Sequence, residues 1–276
     1  MKYKPLELPL YCRDYYRYGN DTVRHSLVWF RKFTGKRWIY GQNFGDYLSP
    51  VVVGELMRKR NSVDALRADR RLLAIGSIIH FAKDNDIVWG SGVNGKVGLE
   101  EYQFKKLDIR MLRGPLTKRF LETIGIYSDC NVFGDPALLI PYLFPEFRYQ
   151  PKKGKHSVIP NLNELESVSR ILPANVKLIS PVGYWKTIVR EIITSESVIT
   201  SSLHGLILAE AYGVPVRFVH PIGGETLFKY QDYLEGTGRT MAEIPTSFNE
   251  GFSMNMGVTF PAPQVDIMKM IDAFPF

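Results

Sequence analysis

Cysteine is scarce in this chain: Cys12 and Cys130 are the only two among 276 residues, far apart and in no C-x-x-C pattern. That argues against a disulfide scaffold and suits a reducing compartment. No apolar run approaches the ~20 residues of a membrane-spanning helix. The longest apolar segments, such as "DPALLIPYLFP", are short and broken by proline. The opening "MKYKPLELPLYCRDYYRYGN" lacks the unbroken apolar core of a signal peptide. A cytoplasmic protein is expected, attached to a membrane at most at its surface. HExxH, EF-hand and C-x-x-C patterns are missing, so no metal is called for. Neither GxGxxG nor a Walker loop occurs, so no nucleotide is identified. Short-period repeats and low-complexity tracts are absent as well.

Apolar residues make up 45% of the chain, enough for one large domain or two small ones. The formal net charge of +7 favours an anionic partner without choosing among nucleic acid, acidic lipid and phosphorylated substrates. A nucleic-acid binder needs clustered Lys and Arg with interleaved aromatics. "FRKFTGKRW" (30–38) comes closest and nothing longer supports it, so no nucleic-acid partner is expected. The same stretch could touch an anionic inner-membrane surface.

Beyond an irregular first 25 residues, strands alternate with glycine turns and helices. "SLVWF", "RLLAI", "DIVWG", "DIRML" and "NVF" read as strands in the first half, and "HSVIPN", "NVKLISP", "SVIT" and "VPVRFVH" in the second. Alternation of this kind implies parallel sheets with helices on their faces. The Pro-, aromatic- and Lys-rich "PYLFPEFRYQPKKGK" is the best linker. The expected class is therefore α/β: two Rossmann-like lobes, 1–148 and 149–276, facing a cleft. The amphipathic tail "APQVDIMKMIDAF" is expected to pack back on the first lobe.

The stretch "SVITSSLHGLILAEAYG" sets His204 in the first turn of a helix at the carboxyl end of a strand. Open α/β sheets put ligands there. Ser201, Ser202 and Gly205 surround His204, and helix N–H groups with the positive dipole end favour an anion. A lone histidine at such a place can also simply pack, but the small polar neighbours favour an anion site. Beside a phosphoryl group an imidazole tends to keep its proton and can act as a general acid. Arg113, in "MLRGPLT", ends a predicted strand where a guanidinium can grip carboxylate or phosphate with two parallel hydrogen bonds. In "GQNFGD", Asp46 is expected as the N-cap of a helix with Pro50 early and Arg58-Lys59-Arg60 in its last turn. Asn43 and Gly45 are not needed for that cap and are candidate substrate contacts. The turns at Gly76-Ser77 and Gly90-Ser91-Gly92 can expose further N–H groups. Lys229, with Asp232 and Tyr233 in "LFKYQDY", reads equally well as a solvated helix face or as a sugar-binding cluster.

Taken together, "NFGD", "GSGVNGK", "MLRGPLT", "GDPALLIP" and "VITSSLHGLILAEAYGVP" resemble the polysaccharide pyruvyl transferase family, in the family's order over roughly residues 40 to 220. The length is similar to that of short bacterial members acting on exopolysaccharide or capsule repeat units. The resemblance implies a GT-B-like fold. It implies transfer of the pyruvyl group of phosphoenolpyruvate, the donor substrate, to a galactose- or mannose-type sugar, with closure of a cyclic ketal and no further cofactor. The acceptor is then a glycan, carried on a lipid in many relatives. By motif, His204 matches the family's catalytic histidine and Arg113 an arginine that helps hold phosphoenolpyruvate. The chain departs from some members in having Ser202 where they place an arginine, so the anion grip would come from helix N–H groups, the serine hydroxyls or a base elsewhere such as Lys229. A GT-B glycosyltransferase or a sugar-nucleotide epimerase is the alternative on the same lobes, although no acidic residue is clearly placed to grip a ribose.

Overall fold

The computed structural model describes residues 27–28, 33–34, 37–38, 43–62, 71–222, 224–254 and 258–276. Within these the chain is a mixed α/β protein with two four-stranded parallel sheets. The first is built from β1 (Leu27–Val28), β4 (Leu72–Leu73), β5 (Ile87–Trp89) and β6 (Asp108–Met111), in the order β1-β4-β5-β6. Between β1 and β4 lies a small antiparallel pair, β2 (Phe33–Thr34) with β3 (Arg37–Trp38). The second sheet has the order β10-β9-β7-β8, from β7 (His156–Ile159), β8 (Val176–Leu178), β9 (Ser197–Thr200) and β10 (Val216–Phe218). Strands β4, β5 and β9 are buried at every position, as sheets covered on both faces require.

The helices are α1 (Phe44–Lys59), α2 (Pro115–Thr123), α3 (Ile140–Leu143), α4 (Leu165–Ile171), α5 (Trp185–Ile193), α6 (Leu203–Ala211), α7 (Phe228–Gly236), α8 (Phe248–Ser253) and α9 (Ile267–Asp272). α1 packs against α5 and against a 3-10 turn at Pro136–Leu139, and that turn packs against α6. One apolar core therefore holds Leu72 and Trp89 of the first sheet together with Val198 and Phe218 of the second, through Leu48, Trp185 and Leu206. α9 lies against the first sheet: the Trp89 indole N–H donates to the Met270 carbonyl at 3.0 Å, and Arg60 donates to the carbonyls of Ile271 and Phe274.

Two local expectations need correction. Asn43, not Asp46, caps α1: its Oδ1 accepts the Gly45 N–H at 3.0 Å, and Asp46 stands three residues further on, within the first turn. Either side chain can cap, but the chain enters the helix one turn earlier because the Phe44 N–H is held by the Pro181 carbonyl. The expected strand at "NVF" is a single bridge from Leu112 to Phe133. Pairing stops there because Pro136 has no N–H and Asp135 turns inward to cap the 3-10 turn, accepting the Ala137 N–H at 2.9 Å. The stretch 30–38 lies outside the described residues except for the short pair β2–β3.

Candidate active site

The carboxyl ends of β4, β5, β6 and β9 run into the segments that carry the candidate residues. β9 ends at Thr200, and α6 starts at Leu203 with Ser202 as its N-cap; the Ser202 hydroxyl accepts the Gly205 N–H at 3.3 Å. His204 thus occupies the first turn of α6. Its ring is almost fully buried and lies directly over the Cα of Gly45, so closely that a β-carbon there would overlap the imidazole. The starts of α1 and α6 therefore meet at this ring. Two helix dipoles place positive potential on one spot.

Asp135 faces the same ring from the third side. Its Oδ2 lies 3.6 Å from His204 Nε2, and both atoms are buried without a hydrogen-bond partner. Asp46 is close as well. Burial pushes its carboxyl up to about 6, against the pull of His204 and Lys229. Lys229 reaches in from α7, mostly buried, with its ammonium 2.7 Å from the Glu225 carboxylate. Burial pushes that ammonium down, and Glu225 partly offsets it. Glu225 is held in turn by Lys96 at 2.5 Å.

Arg113 sits beside this cluster, buried and fully engaged. Its Nε donates to Asp232 at 2.9 Å, one terminal nitrogen to the Ser77 hydroxyl at 2.5 Å and the other to the Val93 carbonyl at 2.7 Å. Asp232 also accepts the Thr117 N–H at 2.8 Å and the Thr117 hydroxyl at 2.7 Å. The free guanidinium fork expected here is thus spent on protein groups, because Asp232 on α7 takes up the charge. Gly92 lies against that guanidinium, where a β-carbon would overlap it. The Gly76 carbonyl ties the turns together by accepting from Gly92 N–H and Ser91 hydroxyl. The crossing of α7 over the Arg113–Gly114 segment is a backbone contact: a β-carbon at Gly114 would strike the Asp232 carbonyl, and one at Gly236 the Arg113 carbonyl.

Of the expected residues, Gly45, Asp46 and His204 come together, with Lys229 near enough for its charge to act on Asp46. Arg113, Ser77, Gly76 and Gly92 form the adjoining wall. Several differ from expectation. The Ser201 hydroxyl is occupied, donating to Glu164 at 2.5 Å and accepting the Asn161 N–H at 2.8 Å. Gly205 faces Thr200 on β9 rather than the site, and its N–H serves the Ser202 cap. Both hold the β9–α6 turn in shape. Asn43 likewise caps α1. The sequence does not single out Asp135, which precedes Pro136 in "GDP"; only the fold brings its second oxygen to His204.

The family model for polysaccharide pyruvyl transferases matches residues 13–219, a span that contains His204, Asp135 and Arg113. The chain belongs to the polysaccharide pyruvyl transferase family. Among relatives of this pyruvyl transferase family member, the succinoglycan biosynthesis protein ExoV of Rhizobium meliloti (strain 1021) is 30% identical over 178 residues, 61% of this chain. The match spans 54% of ExoV, about half its length. The protein L143 of Acanthamoeba polyphaga mimivirus is 23% identical over 209 residues, covering 70% of each chain. A crystal structure of the Klebsiella pneumoniae protein KP1_0663 aligns with a TM-score of 0.42 at 17% identity, over 84% of this chain and 94% of that one. Among the described residues no helix is long and apolar enough to cross a membrane.

Proposed function

We propose that this family member transfers the pyruvyl group of phosphoenolpyruvate to a galactose- or mannose-type sugar of a surface polysaccharide or its lipid-linked repeat unit, closing a cyclic ketal. The observation that carries the reading is the seat of His204: an imidazole between two helix N-termini, with Asp46 and Asp135 beside it. The family and the similarity to a succinoglycan biosynthesis protein support it. On this reading the two sheets belong to two lobes, 1–148 and 149–276, with donor and acceptor meeting at the ends of β6 and β9.

The donor carries a carboxylate and a phosphate. The starts of α1 and α6 and the Lys229 ammonium supply the positive potential, which offsets what Arg113 does not offer while paired to Asp232. His204 gives a proton to C3 of the donor, leaving the positive charge at C2. A sugar hydroxyl adds to C2. The C2–O bond to phosphate then breaks, and a second hydroxyl of the same sugar adds to the same carbon. Of the two hydroxyl protons, one restores His204 and one leaves with phosphate. Holding two hydroxyls in line with C2 is chiefly a matter of position. An anionic membrane surface would bring a lipid-linked acceptor to the basic segment 30–38. Failure to bind acidic vesicles at low salt would remove that part.

The test is phosphate release from phosphoenolpyruvate with a panel of β-galactoside and β-mannoside acceptors, for wild type and His204→Ala. Release that requires acceptor and vanishes in the variant supports the reading. Stabilisation by a sugar nucleotide and none by phosphoenolpyruvate would favour glycosyl transfer instead.

A further inference from the structure

The facing of Asp135 and His204 points to a function for Asp135. Two buried polar atoms, Asp135 Oδ2 and His204 Nε2, lie 3.6 Å apart and have no other partner. An unpaired buried polar atom is costly, and one proton between the two would satisfy both. A carboxylate can only accept, so the proton belongs to Nε2. The other Asp135 oxygen is fixed by the Ala137 N–H at 2.9 Å, so the carboxylate cannot swing away without losing a cap. A β-carbon on Gly45 would overlap Nδ1 and Cγ of the same ring, so Gly45 forms the ring's seat there. The ring is therefore gripped at one nitrogen and seated at the other.

We propose that Asp135 is the positioning residue of this site: it holds the Nε2–H of His204 and leaves Nδ1 as the nitrogen that gives and regains the proton. The assignment of Nδ1 to proton transfer rests on the pyruvyl-transfer reading; the pairing does not. A carboxylate behind an imidazole fixes its tautomer and orientation and stabilises the cation that forms. The separation of 3.6 Å closes to a hydrogen bond by a small ring shift, and such contacts tighten when substrate is bound.

Asp135→Asn is the informative change. Asparagine keeps an oxygen for the Ala137 N–H and replaces the oxygen facing His204 by an amide donor. That donor requires a bare Nε2, so the ring proton must move to Nδ1. The experiment uses histidine labelled with nitrogen-15 in the full chain, with His204→Ala identifying the resonances. Wild type, without substrate, is expected to show the neutral His204 ring protonated at Nε2, and Asp135→Asn to show it protonated at Nδ1. Phosphate release by Asp135→Asn is expected to fall roughly 100-fold or more in kcat, with KM for phosphoenolpyruvate within about twofold, as for an imidazole in the wrong tautomer. Wild-type protonation at Nδ1, or a tautomer unmoved by Asp135→Asn, overturns the pairing. Should the variant fail to fold, the wild-type spectrum alone still decides. A clear Nε2–H signal, with neither phosphate release nor thermal stabilisation by phosphoenolpyruvate in wild type, would end the pyruvyl-transfer reading and leave the pair standing.

Discussion

The imidazole of His204 rests on the Cα of Gly45, so the first turn of α6 and the first turn of α1 are joined through one side chain. No other residue type fits at position 45, because any β-carbon would occupy the space of the ring. Gly45→Ala should displace the imidazole from its seat beside Asp135. The loss is expected to be roughly 100-fold in phosphate release, since small misplacements of a reacting group have that effect. The cost in stability is expected at about 1–3 kcal/mol, as for other overpacked sites. Activity assays and urea unfolding on the same preparation separate the two; full activity in the alanine variant would contradict the contact.

Asp46 should impose a pH dependence on stability. Its carboxyl is raised from an ordinary value of 3.8 to about 6 by burial. The folded chain holds this proton more tightly than the unfolded chain does. The resulting stabilisation is complete below about pH 4 and is lost as pH rises through about 6. Asp46→Asn removes that loss. The stability of the variant relative to wild type should rise by roughly 2–3 kcal/mol between pH 4 and pH 8. Urea midpoints at the two pH values provide the check.

Arg113 and Asp232 are a fully buried pair that joins β6 to α7. Removing one partner strands the other. Asp232→Ala or Arg113→Ala is expected to cost about 3–5 kcal/mol. Arg113→Met combined with Asp232→Leu should cost less than the sum of the single changes, because neither charge is left alone. Additive losses would show that the pair is not the main tie. The comparison is made by denaturant unfolding.

Much of this arrangement is legible in the sequence. Strand period and glycine turns marked β5, β6, β7, β9 and β10, and the passage from "SVIT" to "SSLHG" marked the start of α6 at His204. These are local signals, carried by residues adjacent in sequence. What the sequence hid are contacts between distant segments. Gly45 reads as a candidate substrate contact, yet it is glycine because His204, far along the chain, needs the room. Arg113 reads as a free anion grip, yet Asp232 neutralises it from α7. Asp135 is not singled out by the sequence: one oxygen caps the 3-10 turn, and the other reaches the site. The sequence offers both Asn43 and Asp46 as caps of α1, and the Pro181 carbonyl, by holding the Phe44 N–H, decides for Asn43.

The most direct test of pyruvyl transfer is the mass of a β-galactoside or β-mannoside acceptor after incubation with phosphoenolpyruvate and the protein. A gain equal to pyruvic acid less one water, matched mole for mole by released phosphate and absent with His204→Ala, is the predicted result. An unchanged acceptor across the panel, with no binding of phosphoenolpyruvate in a thermal-shift measurement, would contradict it.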